Sequence, residues 1–347
     1  MEEMMLRSED NRDLNFAKIV AILIIFSIGI VLLFIPIQAR ATGITEDNIS
    51  HLQVGLSESE LLQLAGEPAY RAPTPYGYEW LVYNQDYANY FQIGVADGQV
   101  VAIYSNSFNW SYQSVEVGKD INSLQAGVDA GRQIEFDYEN ATITLSPPEG
   151  AENSILLLFD PGSKNIVHFF IDIHRERLTS ILVSDVETTM AASNLNYNIS
   201  WTRGSRPDFE PETISDSAQE EVDYYNGRQF QDLVNSVRVR NGIQRLGWYG
   251  AAAEVAIEHS RDMYYNSFFS HDSPNTGSPG DRVEAAGIDY RYLLENLSYG
   301  YTGAIFAHEG LMNSYGHRQN ILDPDINAIG AGAYQNEAYT QLFLKLN

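Results

Sequence analysis

Ser314-Tyr315-Gly316-His317-Arg318-Gln319-Asn320-Ile321-Leu322 sets an imidazole, a guanidinium and several amide and hydroxyl groups side by side, between a predicted helix and two predicted strands. The helix runs from about Gly303 to Ser314, and the strands 328–334 and 338–346 are joined by Gln335-Asn336-Glu337. Two more polar clusters stand upstream, Phe269-Ser270-His271 and Leu294-Glu295-Asn296-Leu297. Three further helices frame them. Over 222–241 the apolar positions Val222, Tyr225, Phe230, Leu233, Val234 and Val237 recur at helical spacing until Gly242 stops the run. Over 249–266, Ala252, Val255, Ala256, His259 and Met263 fall on one stripe. A short helix carrying Arg282 lies between Ser278-Pro279 and Gly287.

Upstream, residues 53–188 are mostly strand-like, with short runs rich in Tyr, Val, Ile and Phe such as 78–83, 90–95, 100–104, 155–159 and 167–173. Ala96-Asp97-Gly98 and Asp160-Pro161-Gly162-Ser163 supply hairpin turns. Val54-Gly55-Leu56-Ser57 and Val117-Gly118-Lys119-Asp120 each open a short helix followed by strands, so the region reads as a tandem of two helix-plus-sheet units. Residues 189–218, rich in Asn, Ser, Gly and Pro, read as a linker to a C-terminal domain at 219–347.

The length of 347 residues suits two domains, and a hydrophobic fraction of 44% supplies their cores. A net charge of −25 repels nucleic-acid phosphates, and the absence of cysteine excludes disulfides, thiolate metal sites and thiol nucleophiles. From Ile19 to Ala39 no charge interrupts an apolar stretch long enough to span about 30 Å as a helix. Arg7, Arg12 and Lys18 precede it and only Arg40 closely follows, which puts residues 1–18 in the cytoplasm and the remainder outside. Residues 19–39 are thus a single-pass membrane anchor, or a signal segment cleaved near Ala39-Arg40-Ala41 that would release the protein.

The order and flanks of the three polar clusters resemble the CAP superfamily, the cysteine-rich secretory, antigen 5 and pathogenesis-related (SCP-like) proteins, in its bacterial form. The resemblance extends to Asn235-x-x-Arg238, His259-Ser260-x-Asp262-Met263, Ser278-Pro279-x-Asp281-Arg282 and Ile329-Gly330-Ala331-Gly332. It implies an α+β chain whose C-terminal domain is an α–β–α sandwich with a central cleft carrying His271, Glu295 and His317. Many members have a further glutamate after a tryptophan; here Leu311 and Ser314 occupy those positions, leaving a triad with Ser314 as a polar fourth wall. The upstream region, with its Gly-Leu-Ser start, its Leu64-Ala65-Gly66-Glu67-Pro68 run and Tyr78-Glu79-Trp80, looks like the CAP-associated domain that precedes such modules in bacteria.

Two imidazoles and a carboxylate can hold Zn²⁺ or another divalent ion through His271 and His317, with water in the open positions, and the same groups can equally clamp a loop-rich cleft without metal. The leading expectation is an extracytoplasmic module in the cell envelope that binds a small apolar or cell-wall ligand. A metal-assisted hydrolase of peptide or cell-wall bonds, with His271, Glu295 and His317 as catalytic candidates, is the alternative. The upstream domain offers a third role, in binding a protein partner. Glu309 is a candidate substitute acid, although it stands about 140° round the helix from Ser314. His308-Glu309-Gly310-Leu311-Met312 lacks the second histidine of a zinc-protease helix. His168, His174 and His259 read as structural.

Overall fold

The computed structural model describes residues 43–347. The 19–39 stretch lies outside them, and no helix among the described residues is long and apolar enough to cross a membrane.

The upstream part begins with helix α1 (Glu58–Ala65) and strands β1 (Tyr70–Pro73), β2 (Glu79–Tyr83), β3 (Phe91–Ala96) and β4 (Gln99–Ser105). A small hairpin, β5 (Ser111–Tyr112) and β6 (Val115–Glu116), leads to helix α2 (Ile121–Gly127) and strands β7 (Ile134–Tyr138), β8 (Ala141–Ser146), β9 (Ile155–Asp160), β10 (Asn165–Asp172) and β11 (Arg177–Asp185). Seven strands form one sheet in the order β1-β2-β3-β4-β11-β10-β9.

The starts of the two halves of the upstream part make equivalent backbone bonds. Gly55 donates to the Val100 carbonyl at 2.7 Å, and Gly118 donates to Leu178 at 2.8 Å. One turn later Glu58 donates to Gly98 and Ile121 to Glu176. Both glycines need left-handed backbone, φ +92° and +89°. The final strands of the halves, β4 and β11, pair antiparallel at the centre, with Leu182 opposite Tyr104.

The expected linker at 189–218 is partly structured. Helix α3 (Val186–Ala192) caps the sheet, and β12 (Asn196–Trp201) pairs with β8 in a three-stranded sheet, so only 202–215 connects the two parts. The sequence concealed this strand because Ile199 is its one buried residue, leaving no apolar run.

The C-terminal part holds α4 (Asp216–Arg240), β13 (Gly247–Trp248), α5 (Gly250–Tyr265), α6 (Pro279–Ala285), β14 (Tyr292–Tyr299), α7 (Ala304–Asn313), α8 (Tyr315–Ile321), β15 (Ala328–Tyr334) and β16 (Ala338–Lys345). Its sheet runs β13-β15-β16-β14. Alternation along β15 and β16 divides the core: Ile329, Ala331, Tyr339 and Phe343 pack with Phe230 and Leu233 of α4, while Ala328, Leu342 and Leu344 pack with Ala252 and Ala256 of α5. The glycines of β15 admit the helices. A Cβ on Gly330 would lie 2.3 Å from the Ala253 nitrogen, and one on Gly332 2.2 Å from that of Ile257.

One apolar cluster crosses the junction, joining Trp80, Tyr104 and Phe170 to Phe230, Phe306 and Leu311. The other face of the seven-stranded sheet, through Val167, Phe169 and Ile171, packs with Leu61 of α1 and Leu124 of α2. Both faces of β10 are therefore covered, which explains why all eight of its residues are buried.

Candidate functional site

Glu295 lies within β14, opposite Leu342 of β16. Its Oε1 accepts from His271 Nδ1 at 2.8 Å, and its Oε2 accepts from Arg282 Nη2 at 2.6 Å. Both carboxylate oxygens are thus engaged by cationic or potentially cationic donors. Arg282 is aimed by the N-terminal turn of α6, where Ser278 and Asp281 cap each other's backbone N–H. Its Nη1 donates to the His271 and Gly277 carbonyls, tying the loop that carries His271 to the sheet.

His271 spends Nδ1 on Glu295, which leaves Nε2 for a ligand, and its side chain is 52% exposed. The hydrogen bond to Glu295 raises its pKa above the ordinary histidine value, against a smaller opposing effect of burial. His317, in α8, is shifted the other way, by burial and then by the charge of His271. Its Nδ1 is buried without a hydrogen-bond partner. The backbone around it is held by side-chain amides: Asn296 Nδ2 donates to the His317 carbonyl at 3.2 Å, and Asn320 Nδ2 donates to Asn296 Oδ1 at 2.9 Å and to the Glu295 carbonyl at 3.2 Å. Ser314 ends α7 and begins α8, and its hydroxyl makes no capping bond.

The α7–α8 turn is also gripped from the upstream part. Asp172, at the end of β10, pairs with Arg318 at 2.7 Å. The Ile173 N–H donates to Asn313 Oδ1, and the His174 ring meets both the Asn313 carbonyl and the edge of Tyr315. His174, expected to be structural, holds the turn that carries Ser314 and His317.

Three sequence readings change. Residues 294–297 and 314–322 are strand and helix, not polar connections, and the strand lacked alternation because Glu295, Asn296, Leu297 and Ser298 are all buried. Glu309 is not a substitute acid of the cleft. It is buried beneath the upstream sheet, where Tyr104 and Ser180 donate to Oε1 and the Thr179 hydroxyl meets Oε2. Arg282, Asn296 and Asn320 were not singled out for the site; the only signal for them was their place in the quoted motifs. His259 is buried and its Nε2 meets the Ser270 carbonyl, supporting the His271 loop from behind. A groove of about 620 Å³ runs along α5 and reaches His259 and Arg282.

Chemically, the arrangement offers a half-exposed imidazole hydrogen-bonded to a carboxylate that Arg282 also holds, and a second imidazole shifted in the opposite direction. Among the described residues no three His, Asp or Glu side chains are grouped so as to hold a metal ion.

Comparison with known proteins matches residues 54–194 to the family described as CAP-associated N-terminal and residues 231–346 to the cysteine-rich secretory protein family. The uncharacterized membrane protein YlbC of Bacillus subtilis (strain 168) is 30% identical over 292 residues, 84% of this chain and 82% of the relative. YkwD of the same organism is 32% identical over 136 residues, 39% of this chain and 52% of the relative. The crystal structure of an extracellular protein containing a SCP domain, from Bacillus anthracis str. Ames, superposes with a TM-score of 0.78 at 26% identity, covering 90% of this chain and 100% of that one. A cysteine-rich secretory protein of Staphylococcus aureus subsp. aureus Mu50 shares the fold, with a TM-score of 0.68 at 15% identity over 84% of this chain and 93% of that one.

Proposed function

Because the chain belongs to the cysteine-rich secretory protein (CAP) family, with a CAP-associated region ahead of the family domain, we propose that it is a membrane-tethered, extracytoplasmic binding protein. Its cleft at His271, Glu295 and His317 takes a small apolar or cell-wall ligand. The observation that carries this reading is the double engagement of Glu295 by Arg282 and His271. A carboxylate whose two oxygens already accept from His271 and Arg282 is a poor general base and a poor metal ligand; it orients His271, whose Nε2 can then meet a ligand. A divalent cation would be left with His271 and His317 alone, one protein ligand fewer than catalytic zinc sites use. The residues therefore do not fit a tightly held metal. The location is supported by the Bacillus subtilis relative, called a membrane protein, and by the extracellular Bacillus anthracis structure.

The test is calorimetric titration of the full-length chain, in zwitterionic detergent, with a disaccharide–peptide of peptidoglycan and, separately, with palmitate. Saturable binding of either that disappears in His271→Ala/His317→Ala supports the proposal. Hydrolysis of the disaccharide–peptide that depends on the same two residues would replace it with the enzymatic reading.

A further inference from the structure

A second polar pocket, of about 110 Å³, lies where the upstream sheet meets α4 and α7, and it is bordered by Arg175, Arg240, Arg318, His308 and Asp172. Within a chain of net charge −25, three arginines around one pocket stand out. Asp172 is fully engaged: Oδ2 pairs with Arg318, and Oδ1 accepts the backbone N–H groups of His174 and Arg175. Glu309 also borders the pocket, but hydroxyl groups surround its carboxylate, and burial pushes its pKa up, toward the neutral form.

Arg240 is left with no carboxylate at ion-pair distance among the described residues. Its Nη1 donates to the Thr179 carbonyl, its Nε has no partner, and its guanidinium lies over the Phe108 ring at 4.2 Å. Arg175 reaches only the amide oxygen of Asn241, at 3.3 Å. His308 is 1% exposed, and neither ring nitrogen has a partner. A buried imidazole with no hydrogen-bond partner, beside a guanidinium that meets only the more distant field of Glu309, is costly if nothing fills the cavity. Water could satisfy the imidazole, whereas an anion would satisfy it and complement the two arginines as well. The volume admits several waters or one group the size of phosphate.

We propose that this pocket is a binding site for a small oxyanion, a phosphate or carboxylate group, held by Arg240 and Arg175 with His308 as a neutral hydrogen-bond donor. The pocket shares no residue with His271, Glu295 and His317, although Arg318 adjoins His317, and its proposed occupation does not rest on the cleft reading. An anion here bridges the two parts of the protein, because Arg175 belongs to the upstream part and Arg240 and His308 to the family domain.

The experiment uses the full-length chain in zwitterionic detergent, titrated with inorganic phosphate and with acetate at ionic strength fixed by sodium chloride, and followed by calorimetry and thermal unfolding. Saturable phosphate binding is expected, with a rise in Tm, weakened at least tenfold in Arg240→Gln and in Arg175→Gln. Arg175 is exposed, so its variant serves even where Arg240→Gln fails to fold. Binding of acetate in place of phosphate would assign the site to carboxylates. A Tm response no larger than that to sodium chloride alone, or phosphate affinity retained in Arg175→Gln, overturns the proposal.

Discussion

The Arg282 guanidinium donates to Glu295 Oε2 at 2.6 Å, and the two side chains are only 5% and 2% exposed. Removing one member of such a pair strands a buried charge, at a cost of about 3–5 kcal/mol. Glu295→Gln is therefore expected to lose stability of that order in urea denaturation. His271→Ala, from a half-exposed side chain on the other oxygen, should lose clearly less. Equal, small losses in both would show that the pair does not hold the His271 loop to the sheet.

Acid should destabilise the protein through two buried histidines. Burial holds His168 down to about 4 and His308 to about 3. The unfolded chain binds these protons more readily than the native one, so their contribution is complete above about pH 6.5 and is lost as pH falls toward those values. His271, raised by its bond to Glu295, contributes in the opposite sense, below about pH 6.5, and that contribution is lost as pH rises through its folded value. His168→Phe keeps the ring packed on Phe170 and Phe306 and should flatten the decline between about pH 6.5 and 4 by roughly 3 kcal/mol. An unchanged pH profile in that variant would exclude His168 as a cause.

Breaking the grip on the α7–α8 turn should loosen it without unfolding the chain. In Asp172→Ala, amide hydrogen exchange across residues 313–321 is expected to accelerate by about tenfold or more, while exchange in β15 and β16 stays slow. Equal protection of 313–321 in both proteins would mean that the Arg318 pair is incidental to the position of His317.

Two glycines make a matched comparison. Gly332→Ala forces a Cβ against the backbone of α5, 2.2 Å from the Ile257 nitrogen, and is expected to cost several kcal/mol or abolish folding. Gly316, in α8, has nothing within 4 Å of its Cβ position, and Gly316→Ala should stabilise by about 0.5–1 kcal/mol through reduced backbone entropy. Thermal unfolding of both variants reads the contrast, and a tolerated Gly332→Ala would contradict the close approach of β15 and α5.

Zinc added to the full-length chain should bind weakly, without a stoichiometric step at micromolar protein, because Glu295 is committed to Arg282. Calorimetry checks this. A tight one-to-one complex lost in His271→Ala/His317→Ala would show that Glu295 leaves Arg282 to complete a three-ligand site.

Much of the architecture is written locally. Helical spacing, Pro279 after Ser278 and the glycines Gly242 and Gly287 mark α4 to α7, and Gly55 and Gly118 mark two turns with equivalent backbone bonds, because caps and turns depend on a few neighbouring residues. The motifs around His271, Glu295 and His317 were legible through their resemblance to the CAP family. What only the tertiary structure decided is which polar groups meet. Arg282 reaches Glu295, Asp172 reaches Arg318, and Glu309 turns from the cleft to Tyr104 across the junction between the two parts. A charge costs so much to bury that its partner determines its role, and partners separated along the chain are chosen by packing, which no local pattern encodes.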